Sequence, residues 1–261
     1  MKPQARYAEY YGLNAAECYF YSNNADSAFY FLKRIVEENQ FSDTAMLNRW
    51  KDVDRLKALP NWAAIENRII LNSNEKEKRL NRPLKELLES LCDTDQRLRI
   101  EGDSIDRTYG YDSPESMSHW KRITEMDSLN MLALEEILQQ HGWPGEQEVG
   151  AKGNMAVWLI IQHANYDVQK KYLPVMRAAV SDGKASPSEL AMLEDRLAIN
   201  EGRKQIYGSQ VGRDETTGQF YFLPIEDESN VDQRRESVGL EPLEYYGWNW
   251  GIKARGEGRK D

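Results

Sequence analysis

The sequence predicts a soluble, mainly α-helical protein in two parts, and three observations carry that reading. Apolar residues recur at helical spacing in segment after segment, from Ala15, Ala16 and Tyr19 to Leu190, Leu193 and Leu197. Alternation of period two is confined to Gln205–Gln210 and Gln219–Leu223, on either side of a turn, which reads as a small β-hairpin on a helical domain. A polar and charged stretch, Asn72 to Arg79, divides the chain. At 261 residues it exceeds the usual single-domain size. The division expected is a helical module over 1–72, a linker or helix start over 73–83, a larger domain over 84–250 and a polar tail over 251–261.

Composition narrows the partners. Hydrophobic residues make up 40% and charged residues 30%, a balance that supports a folded core. The net charge of −9 repels phosphate backbones, so nucleic acid is not an expected partner. The longest apolar run, Ala156 to Ile161, stops at Gln162 and His163, well short of the ~18 residues of a membrane span. Cys18 and Cys92 form no metal knuckle or redox pair and read as buried free thiols. The start, Met1 to Tyr7, lacks the apolar core of a signal peptide, so the chain as given reads as cytoplasmic. A chain that had lost a signal peptide and gained a replacement Met1 would read the same and be exported.

In the first part, Ala15, Ala16 and Tyr19, then Ala28, Leu32 and Ile35, flank the polar turn Ser22–Asp26 and form a helical hairpin. Their offsets resemble a tetratricopeptide repeat, although Gly12 and Gln40 stand at that family's Trp and Pro positions. The segment Asp52–Trp62 resembles the element that closes such repeats in many bacterial proteins, with Trp62, Ile65 and Ile69 as one packing stripe. One repeat cannot bury its own apolar face, so this module is expected to dock on the second domain, on upstream repeats or on a partner. A peptide-binding groove is the functional reading, plain packing the bland one.

In the second part, Leu84 to Arg99 forms a helix, and Asp95 and Arg99 at i,i+4 read as a surface ion pair. Asp127 and Asn130 share a face of the next helix, which stops at His141-Gly142-Trp143-Pro144, with His141 near its C-terminal dipole. The apolar helix from Met155 ends in Gln162-His163, two hydrogen-bonding side chains where water is scarce. Asp167, one turn on, is the local partner for the ring. Ser186-Pro187-Ser188-Glu189 reads as a capping box opening a helix that carries Asp195 and Arg196. Arg234 and Arg235 either clamp an anion or tie a helix to its neighbour.

Together, Asp95-Gln96-x-x-Arg99, Asp127-x-x-Asn130, Gly142-Trp143-Pro144, Gln162-His163-Ala164, Asp195-Arg196, Gln205-x-Tyr207-Gly208-Ser209-Gln210, Pro224-x-x-Asp227 and Asp232-x-Arg234-Arg235 resemble the bacterial domain-of-unknown-function family 6624, from Leu84 to Tyr246. The resemblance implies Asp after His-Ala and Thr after Tyr-Gly, where this chain has Asn165 and Ser209. Asn cannot serve as a carboxylate base, so a site needing that group would be impaired. Because the family has no established reaction, the resemblance supplies residues and no chemistry.

No phosphate loop, Gly-x-Ser-x-Gly elbow, His-Glu-x-x-His or catalytic-cysteine context occurs, and the three histidines would all be needed for a three-histidine metal site. A metal-free, cofactor-free polar pocket is expected instead. His163 acts in it as acid or base with Asp167, Asp127 and Asp195; Arg99, Arg196, Arg234 and Arg235 clamp an anion; and Gln96, Asn130, Gln162, Gln205, Tyr207 and Gln210 position the ligand. Two functions stay open: a hydrolase, transferase or binding protein for a polar or anionic small molecule or peptide, or an interaction protein using the leading module. The first expects His163, Arg196, Gln205 and Tyr207 in one concavity. It also expects His163 beneath a strand Tyr207–Val211, bonded to Asp127, Asp195 or Gln210, with Asp167 as the alternative.

Overall fold

A computed structural model describes residues 3–38, 41–51 and 53–252. Gln40, Asp52 and the polar tail from residue 253 onward lie outside the described residues. The fold is mainly α-helical with one small antiparallel hairpin, as the periodicities require. It divides into two compact units, Met1–Lys85 with Gln147–Gly150, and Glu86–Glu146 with Ala151–Asp261.

In the first unit α1 (Pro3–Tyr21) and α2 (Ala25–Glu38) pair across a tight turn, where Asn23 adopts a left-handed φ of 57° and the Asn24 side chain caps α2 at Ser27 N, 3.1 Å. Ala16 and Ala28 are fully buried between them. Leu13, Ala16 and Phe20 form the inward face of α1. Tyr19, expected in the core, is about 100° around the helix from Phe20; it is 40% exposed and stacks on Phe31. Cys18 is likewise exposed, whereas Cys92 is buried.

Short helices α3 (Thr44–Leu47) and α4 (Val53–Lys57) lead into α5 (Trp62–Arg79). Trp62, Ile65 and Ile69 form a buried stripe in the same core as the hairpin, and the buried Asn72 donates through Nδ2 to Val36 O and Phe41 O. Much of the hairpin's apolar face is therefore covered inside its own unit. Residues 73–79 are the solvated last turns of α5.

In the second unit α6 (Arg82–Tyr109) runs well past Arg99, and α7 (Pro114–His141) starts on a Ser113 cap and ends at Gly142, φ 66°. The buried apolar stretch of α8 (Glu146–His163) follows a break at Gly150. Next come α9 (Tyr166–Ser181) and α10 (Pro187–Asn200). The capping box expected at Ser186 does not form, because its hydroxyl pairs with that of Ser188 at 2.7 Å and makes no cap bond.

The hairpin is β1 (Val211–Arg213) with β2 (Phe220–Phe222), in register Val211↔Phe222, Gly212↔Tyr221 and Arg213↔Phe220. Asp214 closes its turn by accepting from Thr216 N and Thr217 N. Residues 205–210, expected as a strand, are a loop. Their backbone N–H groups are drawn to Asp195, and Gly208, at φ 73°, turns the chain where a Cβ would stand 2.7 Å from Leu243 Cδ1. A 3₁₀ turn, α11 (Val231–Ser237) and α12 (Leu243–Trp248) complete the unit. No helix among the described residues is long and apolar enough to cross a membrane.

Candidate functional site

Four helices of the second unit bring charged side chains together. Asp95 and Arg99 project from one face of α6 because they are four residues apart. α7 adds Asp127, the last residues of α8 add Gln162 and His163, and α10 adds Arg196. Gln169 of α9 holds the end of α8 in place, its Nε2 donating to Gln162 O at 3.0 Å and Ala164 O at 2.8 Å.

Arg99 is the hub. Its Nη2 donates to Asp127 Oδ1 at 2.7 Å and Asp95 Oδ1 at 3.2 Å, and its Nε lies 3.0 Å from His163 Nδ1. The same Nδ1 is 3.0 Å from Asp95 Oδ1. The Asp95 side chain is 1% exposed, while those of Arg99, Asp127 and His163 are 19–20% exposed and reachable from solvent. Burial pushes the Asp95 carboxyl up, but the hydrogen bond and charge of His163, the Arg99 charge and the Gln96 amide outweigh it and hold it below the usual carboxylate range. The Asp95–Arg99 pair expected at the surface is thus the centre of the cluster, with Asp95 buried and Arg99 partly exposed.

Arg196 stands beside this hub. Burial, then repulsion from Arg99, holds its guanidinium below the usual range. With its amide oxygen turned toward Arg196, Gln162 accepts from Nε at 2.8 Å and Nη2 at 3.2 Å. Among the described residues Arg196 has no carboxylate within salt-bridge distance.

The neighbouring residue faces another way. The fully buried Asp195 accepts from Ile206 N at 2.6 Å, Tyr207 N at 3.0 Å, and Ser209 N and Oγ at 3.0 Å each. Gln205, also fully buried, donates to Gln210 O and Leu223 O and accepts from Gln210 N. Arg234 donates to Ile206 O, Glu226 O and Asp227 O. Arg235, 1% exposed, donates to Glu241 O and Tyr207 O and lies 5.0 Å from the Tyr246 ring. These side chains spend their polar groups on backbone, which fixes the loop and leaves little for a ligand.

The sequence-derived set therefore splits. His163, Asp127, Arg99, Gln162 and Arg196 come together, and Gln96 supports them by donating to Asp95 Oδ2 at 2.8 Å. Asn130, one turn beyond Asp127, is buried with Nδ2 unpartnered among the described residues. Asp195 of α10, Arg234 and Arg235 of α11 and the loop residues Gln205, Tyr207 and Gln210 form a second network, and among the described residues no hydrogen bond joins Gln205 or Tyr207 to His163 or Arg196. Neither Asp195 nor Gln210 bonds the His163 ring, and Asp127 reaches it only through Arg99. Asp167 is exposed in the first turn of α9, beyond the helix break at Ala164, and does not reach the ring either. The partner missed is Asp95, whose signal was its place in Asp95-Gln96-x-x-Arg99.

The two positions at which the resemblance implies Asp and Thr, Asn165 and Ser209, both hold backbone or loop structure. Asn165 Oδ1 caps α9 by accepting from Val168 N at 3.1 Å, a role Asp and Asn fill equally. Ser209 Oγ donates to Asp195, which a Thr hydroxyl would do as well. Among the described residues neither side chain bonds His163 or Arg196.

Over residues 83–250 the chain matches a family of unknown function (DUF6624), and it belongs to that family. No curated protein and no solved structure matches it. Every residue of the charged cluster lies inside the matched span.

Proposed function

We propose that the family domain binds the anionic group of a small polar molecule on Arg196 and Arg99, with the Asp95–His163 pair beside it to give or take a proton. The observation that carries this reading is Arg196, a half-buried guanidinium bonded to a neutral amide and next to a second guanidinium. A desolvated cation without a counter-charge is costly, and a carboxylate or phosphate lowers that cost through paired charge-assisted hydrogen bonds. His163 makes a hydrolase or transferase chemically reasonable, because its ring is reachable and its Nδ1 is held by a carboxylate, the arrangement that orients a general acid or base.

Thermal-shift screening against carboxylates and phosphates tests the reading. A ligand at about 100 times its Kd stabilises the protein by roughly 2.7 kcal/mol. That shift is expected to vanish in Arg196→Gln, and His163→Gln is expected to keep binding while losing any turnover. Equal shifts in wild type and Arg196→Gln would refute the assignment.

A groove in the first unit favours a second reading, that of an interaction module. Its volume is about 400 Å³, and Gly12, Ala15, Phe31, Arg34, Ile35 and Glu38 are among the residues that line it. Peptides selected on the wild type should be lost on Ala15→Glu; retention would place their binding elsewhere.

A further inference from the structure

We propose that Asp95, Asp127 and His163 form a divalent-cation site in which the guanidinium of Arg99 is the resident cation until a metal displaces it. Asp95, Asp127 and His163 come from three helices, and each offers one ligand atom that lies within 4.8 Å of the other two. Ligand atoms about 2.1 Å from one metal stand at most about 4.2 Å apart. Bringing ligand atoms onto opposite sides of one ion therefore takes a contraction of no more than about 0.6 Å, and the Asp95–His163 edge, at 3.0 Å, already fits a neighbouring pair.

More than acidity points to a cation here. One is in place: the Nε–Nη2 edge of Arg99 meets Asp127 Oδ1, Asp95 Oδ1 and His163 Nδ1 at 2.7–3.2 Å. On α7 the buried Asn130, three residues from Asp127 and on its side of the helix, keeps an unpartnered Nδ2 that an acceptor carried in with a metal would satisfy. One imidazole with two carboxylates suits Mn²⁺, Fe²⁺ or Zn²⁺. The metal-free expectation rested on cysteine knuckles, His-Glu-x-x-His and three-histidine sites, and this set needs one histidine with two carboxylates. The proposal does not depend on an anion at Arg196.

Mn²⁺ binding to the chelator-treated full chain, followed by electron paramagnetic resonance and calorimetry without added anion, tests it. Wild type is expected to bind one Mn²⁺. Arg99→Gln should bind it at least tenfold more tightly, because the internal competitor is gone, and Asp127→Asn should abolish binding in either background. Should Arg99→Gln fail to fold, wild-type binding that is lost in Asp127→Asn supports the site by itself. Absence of stoichiometric binding in the wild type overturns the proposal, even if Arg99→Gln binds, since Arg99 would then be a permanent occupant. Binding that survives Asp127→Asn overturns it as well.

Discussion

His163 Nδ1 carries either a proton or a lone pair, and two groups compete for it. Protonated, it donates to Asp95; unprotonated, it accepts from Arg99. Whichever holds, the ring is fixed through Nδ1, and no bond to Nε2 is made among the described residues. Asp95 is the fixed point in both states, ionised more firmly in the folded protein than in the unfolded chain. Its stabilising contribution is therefore complete above its ordinary value of 3.8 and is lost as pH falls through the lower folded value. Asp95→Asn should lower stability by on the order of 1–3 kcal/mol near neutral pH. Urea midpoints across pH should show that deficit shrinking below pH 3.8. A deficit that stays constant or grows on acidification would show that the Asp95 charge does not hold the cluster.

At the scale of elements, small residues and captured backbone decide the geometry. Gly12 of α1 sits where a Cβ would overlap Ile35 Cγ2 of α2, so the close approach of the hairpin depends on its missing side chain. Two effects oppose each other in Gly12→Ala. Helix propensity favours alanine by about 1 kcal/mol, whereas overpacking costs about 1–3 kcal/mol. Overpacking should win, giving a lower thermal midpoint; a stabilised variant would mean that the helices part without cost. The loop 205–210 follows a related logic, because Asp195 satisfies backbone groups that a strand ladder would otherwise have engaged.

Across the whole molecule the charge of −9 and the two units set the terms of recognition. An acidic chain that binds an anion must do so where positive charge is concentrated and partly desolvated, and Arg99 and Arg196 are such a place. The groove and the charged cluster lie in different units, so their functions should be separable. Ala15→Glu is expected to leave the ligand-induced thermal shift unchanged, and Arg196→Gln to leave peptide selection unchanged. Loss of both properties in either variant would show that the two surfaces work as one.

Local pattern determined much of this protein by itself. Helical periodicity gave the mainly α class, the turn and the alternation of Gln219–Leu223 gave the hairpin though not its first strand, and the spacing of short motifs gave the family. Those features reside within a few residues of chain, where hydrophobic period and turn chemistry act. Partner choice was decided only in three dimensions. Asp95 and His163 are 68 residues apart, and no local rule prefers that pair over His163 and Asp167. Likewise Asp195 and Arg196 are adjacent in sequence, yet one ties down a loop and the other stands in the charged cluster, because successive side chains on a helix diverge by about 100°. The sequence named the polar residues; helix packing determined which of them meet.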